Sequence, residues 1–246
     1  MQPTKEWFSE WFDSPYYHIL YKNRDMREAE FFLSNLVKQL GITPELELVD
    51  LACGKGRHSI YLNQLGCKVT GVDLSMRSIE QAKQFENSRL HFEVKDLRNL
   101  GYHECFDVGL NLFTSFGYFD CDDTNRKVMG EIYKAIKPGG LFVLDFMNVH
   151  KVIRTLISNE VKEADGITFH IERFVKNNLL IKSISFSHQN KAYKFCEEVQ
   201  LLNQHDFEIL LKDAGFTLIT CYGNYALEAY DQEQSDRLIL IAKRNA

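Results

Sequence analysis

Leu48-Val-Asp-Leu-Ala-Cys-Gly-Lys-Gly-Arg57, followed by Val69-Thr-Gly-Val-Asp73, decides how this chain is read. The first run is apolar, breaks at Gly54 and Gly56, and continues into a segment with helical character. It reads as a buried strand, a glycine turn and a helix. The second run is another buried strand, and it ends in a carboxylate. An acid that closes the strand after a glycine-rich βα turn is placed to accept hydrogen bonds from ribose hydroxyls. Together the two runs point to a ligand that carries adenosine.

Two details narrow that ligand. A nicotinamide dinucleotide site wants G-x-G-x-x-G/A, whose third small residue lets helix and strand pack closely. Here the third position holds Ser59. Asp50 lies on the strand just before the turn, where a carboxylate opposes a pyrophosphate and suits an ammonium group. The helix opening near His58 offers free N–H groups and the positive end of its dipole to a carboxylate. An amino-acid moiety fits both features.

The pattern continues down the chain. Phe92-Glu-Val-Lys-Asp96-Leu97 places an acid after a third strand, Phe106-Asp-Val-Gly-Leu-Asn111 reads as a fourth, and Lys137-Pro-Gly-Gly140 precedes a fifth at Leu141–Phe146. Four ordered motifs over roughly residues 45–146 resemble the class I S-adenosylmethionine-dependent methyltransferases. The resemblance implies an α/β, doubly wound, mostly parallel seven-stranded sheet of Rossmann-like type. It also implies S-adenosylmethionine as methyl donor and S-adenosylhomocysteine as product. The cofactor residues it implies are Asp50, Ala52, Gly54, Gly56, Asp73, Leu74, Asp96, Leu97, Asn111 and Phe113. Asp96 would accept from the adenine amino group and the Leu97 N–H would serve a ring nitrogen. Asp107 reads as a strand-start residue, and Lys137–Gly140 as punctuation after a helix.

Composition sets the outer limits. The chain has 246 residues, enough for one sizeable core with an inserted subdomain. A net charge of −5 gives no broad basic field for a polyanion, which disfavours nucleic acid. The six cysteines show no C-x-x-C pair and no metal-like spacing, so no metal is expected and a reducing, cytoplasmic setting is. No apolar run approaches the length of a membrane span, and Met1–Phe8 lacks a signal-peptide core.

Residues 1–44 are dense in aromatics: Trp7, Phe8, Trp11, Phe12, Tyr16, Tyr17 and Tyr21. From about Asp25 to Leu40 apolar residues recur at helical spacing. The aromatics either pin this segment to the core or form a lid over the site. The family resemblance implies a lid tyrosine near the methionine carboxylate, with Tyr16, Tyr17 and Tyr21 as candidates and Arg24 and Arg27 as further ones. The cofactor core is expected over 45–150 and 203–246. Between them, 160–202 alternates as an antiparallel meander of three strands, turning at Asn177-Asn178 and Gln189-Asn190, and such insertions in the family help build the acceptor pocket. Asn203 reads as the N-cap of a helix over Gln204–Ala214, before last strands at Phe216–Tyr222 and Leu238–Lys243.

Methyl transfer from a sulfonium needs alignment above all, and needs a base only when the acceptor arrives protonated. Candidate bases or orienters are Tyr118, Asp145 and His150, with Asn148, His18 and Tyr21 beside them. The chain has Asn111-Leu-Phe-Thr114 where base-flipping N-methyltransferases carry a Pro-Pro tetrapeptide, and it has no Pro-Cys dipeptide. A small-molecule acceptor, taking the methyl on nitrogen or oxygen, is the expectation. Two other classes remain open: a non-catalytic binder of the same cofactor, because no unique residue is required for transfer, and an NAD-dependent oxidoreductase, against which Ser59 and Asp50 argue. Oligomeric state is not legible.

Overall fold

The computed structural model describes residues 6–22, 26–119 and 121–245. The chain begins with two short helices, α1 (Trp7–Phe12) and α2 (Pro15–Leu20), then a longer α3 (Met26–Leu40). Alternating strands and helices follow: β1 (Glu47–Leu51), α4 (Arg57–Gln64), β2 (Lys68–Asp73), α5 (Met76–Ala82), β3 (Leu90–Val94), β4 (Phe106–Asn111), α6 (Asp122–Ala135) and β5 (Ile136–Met147). After α7 (Val149–Arg154) come β6 (Asn159–Ala164), β7 (Ile167–Lys176), β8 (Leu179–His188) and β9 (Lys191–Gln200). The chain closes with α8 (Gln204–Ala214), β10 (Phe216–Tyr222) and β11 (Arg237–Arg244).

Seven strands form one sheet in the order β10-β11-β5-β4-β1-β2-β3. Only β11 runs antiparallel to its neighbours, so the sheet is the doubly wound, mostly parallel one expected. The central strands are buried on both faces, which is why they read as near-continuous apolar runs. Alternate residues feed two cores. Val49, Leu144 and Phe146 pack with Val128 of α6 and Phe207 of α8, while Leu48, Leu110 and Val143 pack with Phe32 and Leu36 of α3 and Leu62 of α4. The chain winds outward from β1 to β3 and then returns to β4 on the other side of β1. The strand order therefore switches between β1 and β4, and a crevice opens at their carboxyl ends.

The meander differs from expectation in having four strands, β6-β7-β8-β9, all antiparallel. β6 escapes sequence reading because Asn159-Glu-Val-Lys-Glu-Ala164 buries only Ala164. On the next strand Ile167, Phe169 and Ile171 face inward as the alternation predicts. They join Ile184, Phe186, Trp11 and Leu20 in a third core, so α1 and α2 pack on this small sheet. The Lys137–Gly140 turn also differs: it lies inside β5, where pairing with β4 slips from Phe106↔Ile136 to Val108↔Leu141. Asp107 anchors that strand start, accepting from the Glu47 N–H at 2.8 Å and from Lys137 Nζ at 2.9 Å.

Candidate functional site

The glycine turn after β1 is built from left-handed backbone: Ala52, Gly54 and Gly56 have φ of 60°, 57° and 79°. A Cβ on Gly56 would sit 2.5 Å from Phe92 Cζ, so only glycine lets the turn close on β3. A Cβ on Gly54 would meet nothing within 4 Å, so there the left-handed φ rather than crowding favours glycine. The Cys53 N–H donates to the Val72 carbonyl at 2.9 Å and the Gly54 N–H to Asp73 Oδ2 at 2.8 Å, which locks the turn to β2. Asp73 Oδ1 accepts from the Ser75 N–H at 2.8 Å. Burial raises the Asp73 carboxyl above its ordinary value despite these amides. Asp50 is wholly buried and accepts from Ser59 Oγ at 2.6 Å; burial pushes its pKa up to about 7.

One cleft lies beside this turn. Ala52, Asp73, Leu74, Asp96, Leu97 and Tyr118, all candidates from sequence, line it together. Asp96 is gripped by Arg98: Nε reaches both carboxylate oxygens at 3.0 Å and Nη2 reaches Oδ2 at 2.6 Å. Burial works to raise the Asp96 carboxyl, but the Arg98 hydrogen bonds outweigh it and leave it below its ordinary value. Asn111 is buried at the end of β4; its Nδ2 donates to the Leu51 and Ser115 carbonyls, each at 3.2 Å, and its Oδ1 has no hydrogen-bond partner among the described residues.

Phe8, Ser9 and Phe12 of α1 form the outer wall, Phe8 and Phe12 coming from the aromatic segment that the sequence offers as either a pin or a lid. Trp7 and Phe12 pack on Tyr118 at 5.5 and 5.4 Å, and Phe8 packs on Phe119 at 5.5 Å. The helix is tied down at both ends. Glu6, its N-cap, pairs with Arg98, with 2.8 Å between Nη2 and Oε2, and Asp13 accepts from Ser75 Oγ at 2.7 Å and the Arg77 N–H at 3.2 Å. These partners could have been suspected only from Arg98 standing next to the Asp96-Leu97 pair.

Several candidates are placed elsewhere. Tyr16 and Tyr21 turn away from the cleft toward the small sheet: the Tyr16 hydroxyl lies 3.0 Å from His188 Nδ1, and the Tyr21 hydroxyl donates to Glu197 Oε1 at 2.7 Å. Their aromatic faces complete the third core, which is what determines their direction. Phe113 stacks on His58 with centroids 4.8 Å apart, beneath the Arg57 guanidinium, and does not line the cleft. Asp145 is not a free base. It is fully buried and accepts from the Phe113 N–H and Arg237 Nε at 2.8 Å and from Tyr225 at 3.2 Å. His150 sits on α7, its N–H bonded to Asn148 Oδ1 at 3.2 Å, outside the cleft. Asn148 ties to the Gln232 and Ser235 carbonyls at 2.9 and 2.8 Å. The Tyr118 hydroxyl donates to the Thr114 carbonyl. Arg24 lies outside the described residues.

The arrangement fits S-adenosylmethionine. Asp73 and Asp96 supply carboxylates to the cleft, Leu74, Leu97 and Phe8 offer apolar walls for a flat base, and the buried Asn111 Oδ1 is left without a partner among the described residues. No group of side chains that could hold a metal ion occurs among the described residues.

Comparison with known proteins agrees. A family model described as a methyltransferase domain matches residues 42–215. A glycine/sarcosine N-methyltransferase from Aphanothece halophytica is 28% identical over 232 residues, covering 90% of this chain and 83% of the relative. An S-adenosylmethionine-dependent methyltransferase from Clostridium acetobutylicum superposes with a TM-score of 0.76 at 20% identity, over 94% of this chain and 96% of the other. The S-adenosylmethionine-bound CalS10, an amino pentose methyltransferase from Micromonospora echinaspora, gives 0.64 at 17% identity, over 91% and 93%. The chain thus belongs to the methyltransferase domain family and is an S-adenosylmethionine-dependent methyltransferase.

Proposed function

We propose that the acceptor is a small molecule and that it takes the methyl group on an amine nitrogen, with a hydroxyl oxygen as the second choice. The observation that carries the small-molecule reading is the aromatic outer wall: α1 lines the cleft with Phe8 and Phe12 and is latched at both ends, a closed setting that suits a compact acceptor better than a polymer. The nitrogen reading follows from the bases. Asp145 is consumed by its partners, His150 lies outside, and the Tyr118 hydroxyl is already donated. An amine that arrives neutral needs none of them. The glycine/sarcosine and amino pentose enzymes among the similar proteins support the same choice.

When bound, the donor supplies a methyl group on a positively charged sulfur that leaves as a neutral thioether. With the donor held in line, an amine acceptor would take the methyl on its lone pair while the thioether leaves, and the methylated ammonium would lose its surplus proton on release to solvent. This chain's residues hold and orient. Asp73 and Asp96 fix the adenosine portion, Asp50 and Asn111 face the amino-acid portion, and Phe8, Phe12 and Tyr118 exclude water. Alignment of this kind accounts for roughly 7–11 kcal/mol of barrier reduction. We read 1–44 as a lid and helix segment, with α1 as the lid and α3 packed on the large sheet, 45–150 with 203–246 as the cofactor core, and 160–202 as the cap on which the lid rests. The free cysteines support a reducing, cytoplasmic setting. A panel of small amines, amino acids, amino sugars, phenols, RNA and protein, scored by S-adenosylhomocysteine release, tests the reading. Turnover with a small amine is expected; turnover with RNA or protein alone would overturn it.

A further inference from the structure

Phe113 and Thr114 are consecutive, neither is glycine, and both are left-handed, with φ of 58° and 62°. Such a pair persists only where its surroundings over-determine it, and backbone held this way clusters at functional sites. Here the surroundings are two residues from distant strands. Asp145 of β5 accepts the Phe113 N–H on Oδ2 at 2.8 Å and the Thr114 N–H on its main-chain carbonyl at 2.9 Å. Arg237, which opens β11, donates through Nε to Asp145 Oδ1 at 2.8 Å and through Nη2 to Thr114 Oγ1 at 3.0 Å. The ion pair therefore holds Phe113 by its main chain and Thr114 by main chain and side chain.

The held segment leads directly into the cleft. Ser115, Phe116 and Tyr118 line it, the Ser115 carbonyl accepts from Asn111, and the Tyr118 hydroxyl returns to the Thr114 carbonyl. Asp145 and Arg237 themselves do not line it. We infer that Asp145 and Arg237 are a positioning pair: by fixing Phe113-Thr114 they set the inner wall of the cleft and the side chain of Asn111, on which cofactor alignment depends. The inference rests on the reading of the cleft as the S-adenosylmethionine site. A buried carboxylate that loses its guanidinium keeps an uncompensated charge, so without Arg237 the loop relaxes toward ordinary φ and the wall moves.

The test uses the full chain with Arg237→Met, Arg237→Lys, and Thr114→Gly added to each. Hydrogen exchange is followed over residues 112–118 against β4, and S-adenosylhomocysteine affinity by calorimetry. Arg237→Met is expected to speed exchange at 112–118 at least tenfold with β4 unchanged, and to weaken affinity at least fivefold. Arg237→Lys, which keeps charge but loses the fork, should fall between. Adding Thr114→Gly should restore at least half of the lost affinity on a logarithmic scale, because glycine adopts the left-handed region freely. Exchange and affinity within twofold of wild type would overturn the inference. So would faster exchange across the whole large sheet with no rescue by glycine, the signature of a merely structural pair. If Arg237→Met does not fold, Arg237→Lys and its glycine partner decide by the same criteria. Loss of protection at 112–118 in a protein whose wild type binds no S-adenosylhomocysteine would leave the pair standing and refute the cofactor reading instead.

Discussion

The indole nitrogen of Trp11 donates to Oε1 of Glu197 at 2.7 Å, and this bond joins the lid helix to the small sheet. Glu197 Oε1 also accepts from Tyr21, and Lys182 Nζ stands 3.6 Å from Oε2. One carboxylate thus serves three groups, from α1, the residue capping α2, and β8. Glu197→Ala removes the acceptor of the buried Trp11 indole and leaves Tyr21 and Lys182 only each other, and is expected to destabilise the protein by about 3 kcal/mol, while Glu197→Gln costs roughly 1 kcal/mol. Urea denaturation measures both. The Ala variant should also raise the KM for S-adenosylmethionine, since α1 walls the cleft.

Arg98 sets the other end of the lid. Its guanidinium holds Glu6 and Asp96 together, and all three side chains are partly exposed, so the latch is screened by salt. Arg98→Ala should speed protease cleavage within residues 6–22 and weaken S-adenosylmethionine binding several-fold. Raising ionic strength from 0.05 to 0.5 M should reproduce part of that effect in wild type and little of it in the variant.

Asp50 makes stability depend on pH in a defined direction. Its folded pKa, about 7, lies above the ordinary carboxylate value. The folded chain therefore binds the proton more tightly than the unfolded chain, and stability falls as pH rises from about 4 to about 7. Asp50→Asn removes the buried charge. Its melting temperature should exceed that of wild type at pH 8, with the gap closing toward pH 5. A gap independent of pH would contradict the assignment. Binding of a cationic amino-acid group favours the carboxylate, so wild-type affinity for S-adenosylmethionine should weaken below pH 7.

The core was legible because its strands are buried on both faces and its turns need glycine. Gly54, Gly56, Asp73 and Asp96 therefore announced both order and ligand. β6 was not, since five of its six residues face solvent or the sheet margin. Family resemblance puts Tyr16 and Tyr21 at the cleft, but hydroxyl direction is set by tertiary packing, here by His188 and Glu197, which no local sequence signal reveals. Asp145 looked like a base because it ends a strand at the ligand side. Its partner Arg237 lies 92 residues away, on a strand with no motif of its own.

The most direct measurement is thermal unfolding with S-adenosylmethionine, S-adenosylhomocysteine and NADH in turn, for wild type and Asp73→Ala. At about 100 times its dissociation constant a ligand adds roughly 2.7 kcal/mol, a rise of roughly 5–10 °C for a chain of this size. Both adenosyl ligands should raise the wild-type midpoint by that amount, with the rise lost in Asp73→Ala. No rise with either, or a rise with NADH alone, would contradict the assignment of the cleft.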